Sequence, residues 1–490
     1  MPVANQQTKL LITAFCAITV VSLLVGIAGY WYFLAGIPAA LLVAYLAVVD
    51  FKKIFFLLFA MLPFTVEVWL PNGTVTDIPT EPMQVMLMGI YFLYVLKNGL
   101  VLDGRFIKNP ITLLLLLHLA WFFLAVLTSG SFIVSLKFFL AKIWYVTTFF
   151  FLAGTLMKTE RDVRVLTWCF LIPLLVTIIY VLKNHAGYGF SFADVNKAMA
   201  PFYRNKVMYA CTLSVFLPFV WFARKWYKRW TMPWWILAGA AFMMIVGVQL
   251  SYTRAAYITL LMAVGAYFVV KWRLMKWALA GATLFFLFFI YNVTAHNNYL
   301  DSRPDFNKTI THDDFDDLLS ATTKGQDVST MERVYRWVAG GHMVAEKPLT
   351  GFGPGTFTTY YKQYTLFGFT TYVSDNKELS GIHCYYLMMA VEQGILGALL
   401  FIALVFVVLL KGEQVYHETE LPGRRRVVMM AILTTVVIDG LLLMNDLVET
   451  DKVGSFFFLC MALIVNADTW NRREQEQRSQ ELEPDFRIER

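Results

Sequence analysis

The chain has 490 residues, 58% hydrophobic, 16% aromatic and only 15% charged, with a mean hydropathy of +0.58. Soluble domains carry roughly 25% charged residues, so this composition excludes a soluble enzyme or a nucleic-acid-binding protein and describes a polytopic membrane chain. The formal charge is +7, from 41 Lys+Arg against 34 Asp+Glu, and the placement of those charges says more than their sum.

A bilayer is spanned by roughly 20 apolar residues in a helix. In chain order the candidates cover 10–28, 31–49, 54–69, 83–96, 111–128, 138–157, 165–182, 207–223, 232–249, 254–270, 276–293, 383–410, 427–444 and 453–468. Segment 54–69 contains Pro63 and Glu67 and segment 83–96 is short. Both are candidates for re-entrant or interfacial elements, so the expectation is twelve to fourteen spans. The first segment follows Lys9 and has no small-residue cleavage site, which predicts a transmembrane helix and not a signal peptide. None of the five cysteines forms a CxxC or Cys/His spacing, so neither a disulfide framework nor a zinc site is expected.

Placing the N-terminus inside puts Lys52, Lys53, Lys97, Arg105, Lys108, Lys158, Arg161, Arg164, the 224–229 cluster, Lys271, Arg273, Lys276, Lys411 and Arg424 to Arg426 on the same side. That is the positive-inside bias, and it predicts both termini in the cytoplasm. One outer loop, 294–382, carries eleven acidic and eight basic residues and is too long to be a simple connector. The expected division is therefore a bundle over 1–293, a loop domain over 294–382, further membrane helices over 383–469 and a charged, disordered tail over 470–490.

Basic residues on the outer side are the functional clue. Lys137, Lys142, Lys183, Lys197, Arg204, Lys206, Arg254 and Lys452 fall near outer connections. Such residues either snorkel to headgroups or meet an anion. Arg254 opens the run AAYITLLMAVGAYFVV, and a guanidinium there suits a diphosphate, whose oxygens it binds bidentately. In the outer loop, Arg333 and Arg336 share one face of an amphipathic helix predicted over 329–345, which is either a solvated surface or part of the same site. Pro348 ends that helix, and Gly351 to Gly355 (GFGPG) form a turn-rich stretch that lacks the GK[ST] of a P-loop. His383 lies where the chain re-enters the membrane, in line with Leu387, Ala390, Gly394 and Gly397 and opposite Glu392. A neutral imidazole there is either an interfacial polar group or a proton acceptor. The acidic run Asp313 to Asp317 is a solvated turn or a cation site, whereas Glu67, His118 and Asp439 sit in apolar runs with partners expected.

Three stretches in order, LSYTRAAYI (250–258), Arg333 with Trp337 followed by PLTGFGPGTF (348–357), and His383 with Gly394 and Gly397, resemble the O-antigen ligase and polymerase superfamily of bacterial membrane glycosyltransferases. Cys384 departs from the amide or hydroxyl usual after the histidine. The resemblance implies an all-α, GT-C-like polytopic membrane protein of the bacterial inner membrane with a periplasmic active site. Its implied donor is a glycan on undecaprenyl or another polyprenyl diphosphate, and its implied acceptor is lipid A-core or another glycan. The implied transfer is inverting and uses no metal or other cofactor. Carried onto this chain, it gives His383 as catalytic residue and Arg254, Arg333, Arg336 and Arg204 as diphosphate ligands, with Lys137 and Lys142 as weaker candidates. The late large loop favours an O-antigen ligase over a polymerase or a protein O-oligosaccharyltransferase. A lipid-linked sugar transporter would gather its polar residues at the midplane and show repeats; these gather at the outer surface, and the chain has no tandem repeat.

Overall fold

The computed structural model describes residues 6–482 except 32, 33, 35, 70–74, 100, 307 and 310–325. Helices dominate: α1 (Gln6–Ala28), α2 (Gly36–Val49), α3 (Phe51–Met61), α4 (Thr80–Asn98), α5 (Pro110–Leu127), α6 (Phe132–Leu156), α7 (Glu160–Gly187), α8 (Lys206–Ala223), α9 (Met232–Leu250), α10 (Arg254–Lys271) and α11 (Met275–Thr294) precede the large loop. The loop holds α12 (Val328–Glu346), and α13 (Tyr385–Glu418), α14 (Pro422–Leu442) and α15 (Asp451–Leu482) follow it. Among the described residues, nine helices are long and apolar enough to cross a membrane: α5 to α11, α13 and α15. This is a multi-pass, all-α membrane architecture, since only helices with internally satisfied backbones and closed barrels tolerate hydrocarbon.

Local sequence sets the helix starts. Asn109 caps α5 with Pro110 at its first position, Thr159 and Asp162 form a reciprocal capping box on α7, and Pro422 opens α14. The segment expected over 54–69 does not span as one helix. α3 ends at Met61, a 3-10 turn carries Pro63, and Val66–Trp69 becomes strand β1, paired antiparallel with β2 (Val75–Ile78). Proline removes a helical hydrogen bond, so the chain leaves the helix there and returns through a hairpin.

α15 is the central post: every residue from 451 to 469 is buried. Phe456 on it packs against Phe59, Phe170, Phe216 and Phe219 with ring centroids 4.8–5.8 Å apart, a spacing at which aromatic pairs attract beyond simple burial. α11 is the opposite case, with only Met275 buried, and presents Phe285, Phe288 and Phe289 outward. In a bilayer that face meets lipid.

The tail expected to be disordered is helical as far as Leu482. Its charges are paired and not merely solvated: Arg472 with Asp468 at 3.1 Å, Arg478 with Glu420 at 2.7 Å, Glu474 with Arg424 at 2.8 Å, and Glu476 with Arg105. These bridges join Lys52–Asp162 and Arg426–Glu160 at one end of the bundle. The starts of α8, α10, α13 and α15, together with the large loop, lie at the other.

Candidate functional site

α10 begins one short turn after α9. Ser251 bonds back to the Val248 carbonyl at 2.6 Å, Tyr252 takes a left-handed φ of 54°, and the Thr253 hydroxyl donates to the Lys206 carbonyl at 3.4 Å. Thr253 thereby fixes the start of α10 beside the start of α8, and Arg254 and Lys206 become neighbours. The Lys206 ammonium rests 3.9 Å over the Phe192 ring and is electrostatically coupled to Arg254 and Asp327.

Asp327 ties this corner to the loop domain. It caps α12 by accepting from the Ser329 and Thr330 amides, and it pairs with Arg254 at 2.9 Å. Its carboxyl lies below the usual range: burial, which raises it, is outweighed by hydrogen bonds from Thr330 and Arg254. Along α12, Arg336 pairs with Glu332 at 3.2 Å, both side chains 7% exposed, and Glu332 also accepts from the hydroxyls of Thr371 at 2.6 Å and Ser374. The arginines of α12 are therefore turned inward and are not a solvated surface. Arg333 makes no ion pair among the described residues; burial first, then Arg254, disfavours its charge.

His383 is held in the same cluster by contacts at the two residues before it. Trp337, one turn after Arg333, donates its indole N–H to the Ile382 carbonyl at 3.0 Å, and Ile382 packs into the space left by Gly340. Gly381 accommodates the Asp446 carboxylate, which a Cβ there would strike. His383 takes a φ of 58°, a conformation costly for a side chain other than glycine. Such strain persists only where the surroundings over-determine it. Burial, then Arg333 and Arg336, push the imidazole down to about 3, so it is neutral around pH 7. His383 Nδ1, Arg333 Nε and Arg336 Nε are all buried without a hydrogen-bond partner among the described residues.

The third motif works differently from the packing face expected of it. The helix of α13 starts at Tyr385, with Cys384 as its cap position offering no side-chain bond, and it breaks at Gly394, where φ is 73°. GFGPG docks against that break. Phe352 and Gly353 donate to the carbonyls of Val391 and Glu392 at 3.0 and 2.9 Å, and the Glu392 carboxylate accepts from the Gly355 and Phe357 amides at 2.8 and 3.1 Å. Trp121 donates to the Gln393 carbonyl, freed by the break, at 2.9 Å and packs on Gly397. The glycines thus serve the junction between loop and helix; their amides are committed to protein carbonyls and a carboxylate.

The structure brings Arg254, Arg333, Arg336 and His383 into one electrostatically coupled cluster. Arg204 is a near neighbour: exposed, it lines a small pocket of about 70 Å³ with Glu67, Asp77, Asp451 and Lys452, and its field reaches Asp446, as does that of Arg336. Lys142 is buried against Glu449 at 2.7 Å and the Tyr385 hydroxyl at 3.2 Å, beneath the start of α13. Lys137 is exposed on α6 and is not among the charges acting on His383. The partners expected around Asp439 and His118 are incomplete, since both carboxylate oxygens of Asp439 and Nε2 of His118 are buried without hydrogen bonds among the described residues. Residues 313–317 lie outside the described residues; within them no group of three or more His, Cys, Asp or Glu side chains is arranged to hold a metal ion. Lys206, Asp327 and Asp446 were not assigned from the sequence. Asp327 had a signal, the Asp-Val-Ser-Thr pattern of a helix cap, while Asp446 had none.

The arrangement is that of a multi-pass membrane protein with a guanidinium-rich, histidine-containing site where several helices begin at one end of the bundle. Residues 239–402, from α9 through the loop domain into α13, match the family model described as O-antigen ligase. The match contains Arg254, Arg333, Arg336 and His383, and this stretch of the chain is similar to that family. No curated protein matches the chain.

Proposed function

We propose that the protein is an O-antigen ligase, a glycosyltransferase that moves a glycan from a polyprenyl diphosphate to a sugar hydroxyl of lipid A-core at the periplasmic face of the bacterial inner membrane. The observation that carries this reading is the convergence of Arg254, Arg333 and Arg336 around His383, with Nε of Arg333, Nε of Arg336 and Nδ1 of His383 buried without hydrogen bonds among the described residues. Arg254, Arg333 and Arg336 stand against the carboxylates of Asp327 and Glu332, and a diphosphate is an anion in the geometry that guanidinium groups favour.

In the transfer, the acceptor oxygen forms a bond to the anomeric carbon as the bond from that carbon to the diphosphate oxygen breaks, with inversion. The electron pair leaves with the polyprenyl diphosphate, and the arginines stabilise that growing charge where water is excluded. The hydroxyl proton passes to His383. Burial, then Arg333 and Arg336, make the imidazole a weak base; a bound diphosphate offsets the arginine charges and raises its basicity when the donor is in place. Membrane helices hold the prenyl chain and so fix the donor relative to the imidazole.

Deletion in the native host followed by lipopolysaccharide profiling tests the reading. A ligase leaves lipid-linked polymer accumulating with bare lipid A-core. Lipopolysaccharide capped with a single repeat unit would instead identify a polymerase.

A further inference from the structure

A cleft lies at the end of the bundle away from the candidate site. A cavity of about 330 Å³ opens between the start of α7, the start of α14 and the middle of α15. Its walls are apolar where they face the bundle (Val163, Val427, Leu463, Ala467), with Trp470 beside them and Lys158 and Arg424 at the polar side. Trp470 is stacked by the Arg424 guanidinium at 5.1 Å. An indole beside apolar walls and cations is the arrangement found at the boundary between hydrocarbon and headgroups.

The charge around this cleft is unbalanced. Lys158, Arg161, Arg164, Arg424, Arg425 and Arg426 gather at the two helix starts. Glu160 is taken by Arg426 at 3.0 Å, Asp162 by Lys52 at 2.6 Å, and Glu474 by Arg424 at 2.8 Å. Lys158 is exposed and makes no ion pair among the described residues, while Arg164 and Arg425, outside the lining, rest on the rings of Trp226 and Tyr227 and of Tyr416. Basic pockets between membrane helices attract anionic headgroups, at about 1 kcal/mol per cation near the surface.

We propose that this cleft holds an anionic phospholipid, its phosphate between Lys158 and Arg424 and its acyl chain against Val163 and Leu463. The occupant is a membrane lipid and not a soluble anion, because the apolar side chains of Val163, Val427, Leu463 and Ala467 line the same cleft as the cations and Trp470.

The test uses the full chain purified in detergent and titrated with phosphatidylglycerol or phosphatidylcholine, with retained lipid counted by native mass spectrometry. Phosphatidylglycerol is expected to bind at least tenfold more tightly than phosphatidylcholine. Lys158→Ala should weaken it about five-fold, the effect of one cation, and Lys158→Arg should restore it. Lys158 is exposed, so its variants keep the fold, and their thermal unfolding with candidate-site activity should match the parent. Equal retention of the two lipids, or an unchanged Lys158→Ala, would overturn the proposal. So would stabilisation by inorganic phosphate alone equal to that by phosphatidylglycerol, which would mark an anion site without a lipid.

Discussion

Trp337 donates its indole N–H to the carbonyl of Ile382, the residue before His383, at 3.0 Å. This bond crosses from the helix that carries Arg333 and Arg336 to the strained turn that presents the imidazole. The α12 guanidinium groups and the imidazole are therefore tied to each other by one side chain. Trp337→Phe keeps most of the ring and loses the donor. It should lower kcat about tenfold with donor KM within about two-fold of the parent, the signature of an interaction that acts in the transition state. A matched fall in donor binding would mean that the tryptophan holds the whole loop domain and not the turn alone.

The depressed basicity of His383 sets a pH signature. The free imidazole takes up its proton only near 3, so kcat/KM should stay flat from pH 7 down to about 5, where an ordinary histidine, titrating at about 6.5, would have lost most of it. With donor bound, the diphosphate charge raises the imidazole, and the acid limb of kcat should lie at higher pH than that of kcat/KM. Linkage has the same sign. The unfolded histidine binds its proton below about 6.5 and the folded one only near 3, so its stabilising contribution is present above that window and lost as pH falls through it. His383→Gln should shed that part of the acid sensitivity of thermal unfolding.

Arg333 carries no ion pair among the described residues, so its guanidinium is the one most available to a phosphate. Arg333→Lys keeps the charge and loses the bidentate fork. Donor KM should rise about tenfold and become more sensitive to salt, measured by turnover at increasing ionic strength. An unchanged KM would place the diphosphate on Arg254 and Arg336 alone.

Gly394 takes a φ of 73°, and a Cβ there would collide with the Leu349 carbonyl. Gly394→Ala should destabilise by at least about 1–3 kcal/mol, seen as a lower midpoint in thermal unfolding, and should reduce activity by loosening the contact between GFGPG and Glu392. Gly265, on α10 with no atom within 4 Å of an added Cβ, serves as control and should tolerate alanine.

Much of the architecture was legible because apolar length and charge sidedness are strong, local signals. Arg254, Arg333, Arg336 and His383 were legible because their spacing resembles a family pattern. What escaped depends on contacts across the chain. Asp327 matters because it caps α12 and pairs with Arg254, 73 residues earlier, and no local pattern announces a partner that distant. Gly394 looked like a small residue for helix packing, yet the docking of Leu349 makes it a break. Residues 470–482 looked disordered from composition, but their charges meet Asp103, Glu420 and Arg424 on the bundle. Proline at 63 was visible, although its consequence, a hairpin in place of a span, required knowing that Val66–Trp69 and Val75–Ile78 could pair.

The central claim is tested most directly by single-turnover glycan transfer with the purified protein, a polyprenyl-diphosphate-linked glycan and lipid A-core, comparing the parent with His383→Ala. The account predicts that the variant binds the donor with near-parental affinity and transfers at least about 100-fold more slowly, the contribution general bases make. Transfer within a few-fold of the parent would contradict it.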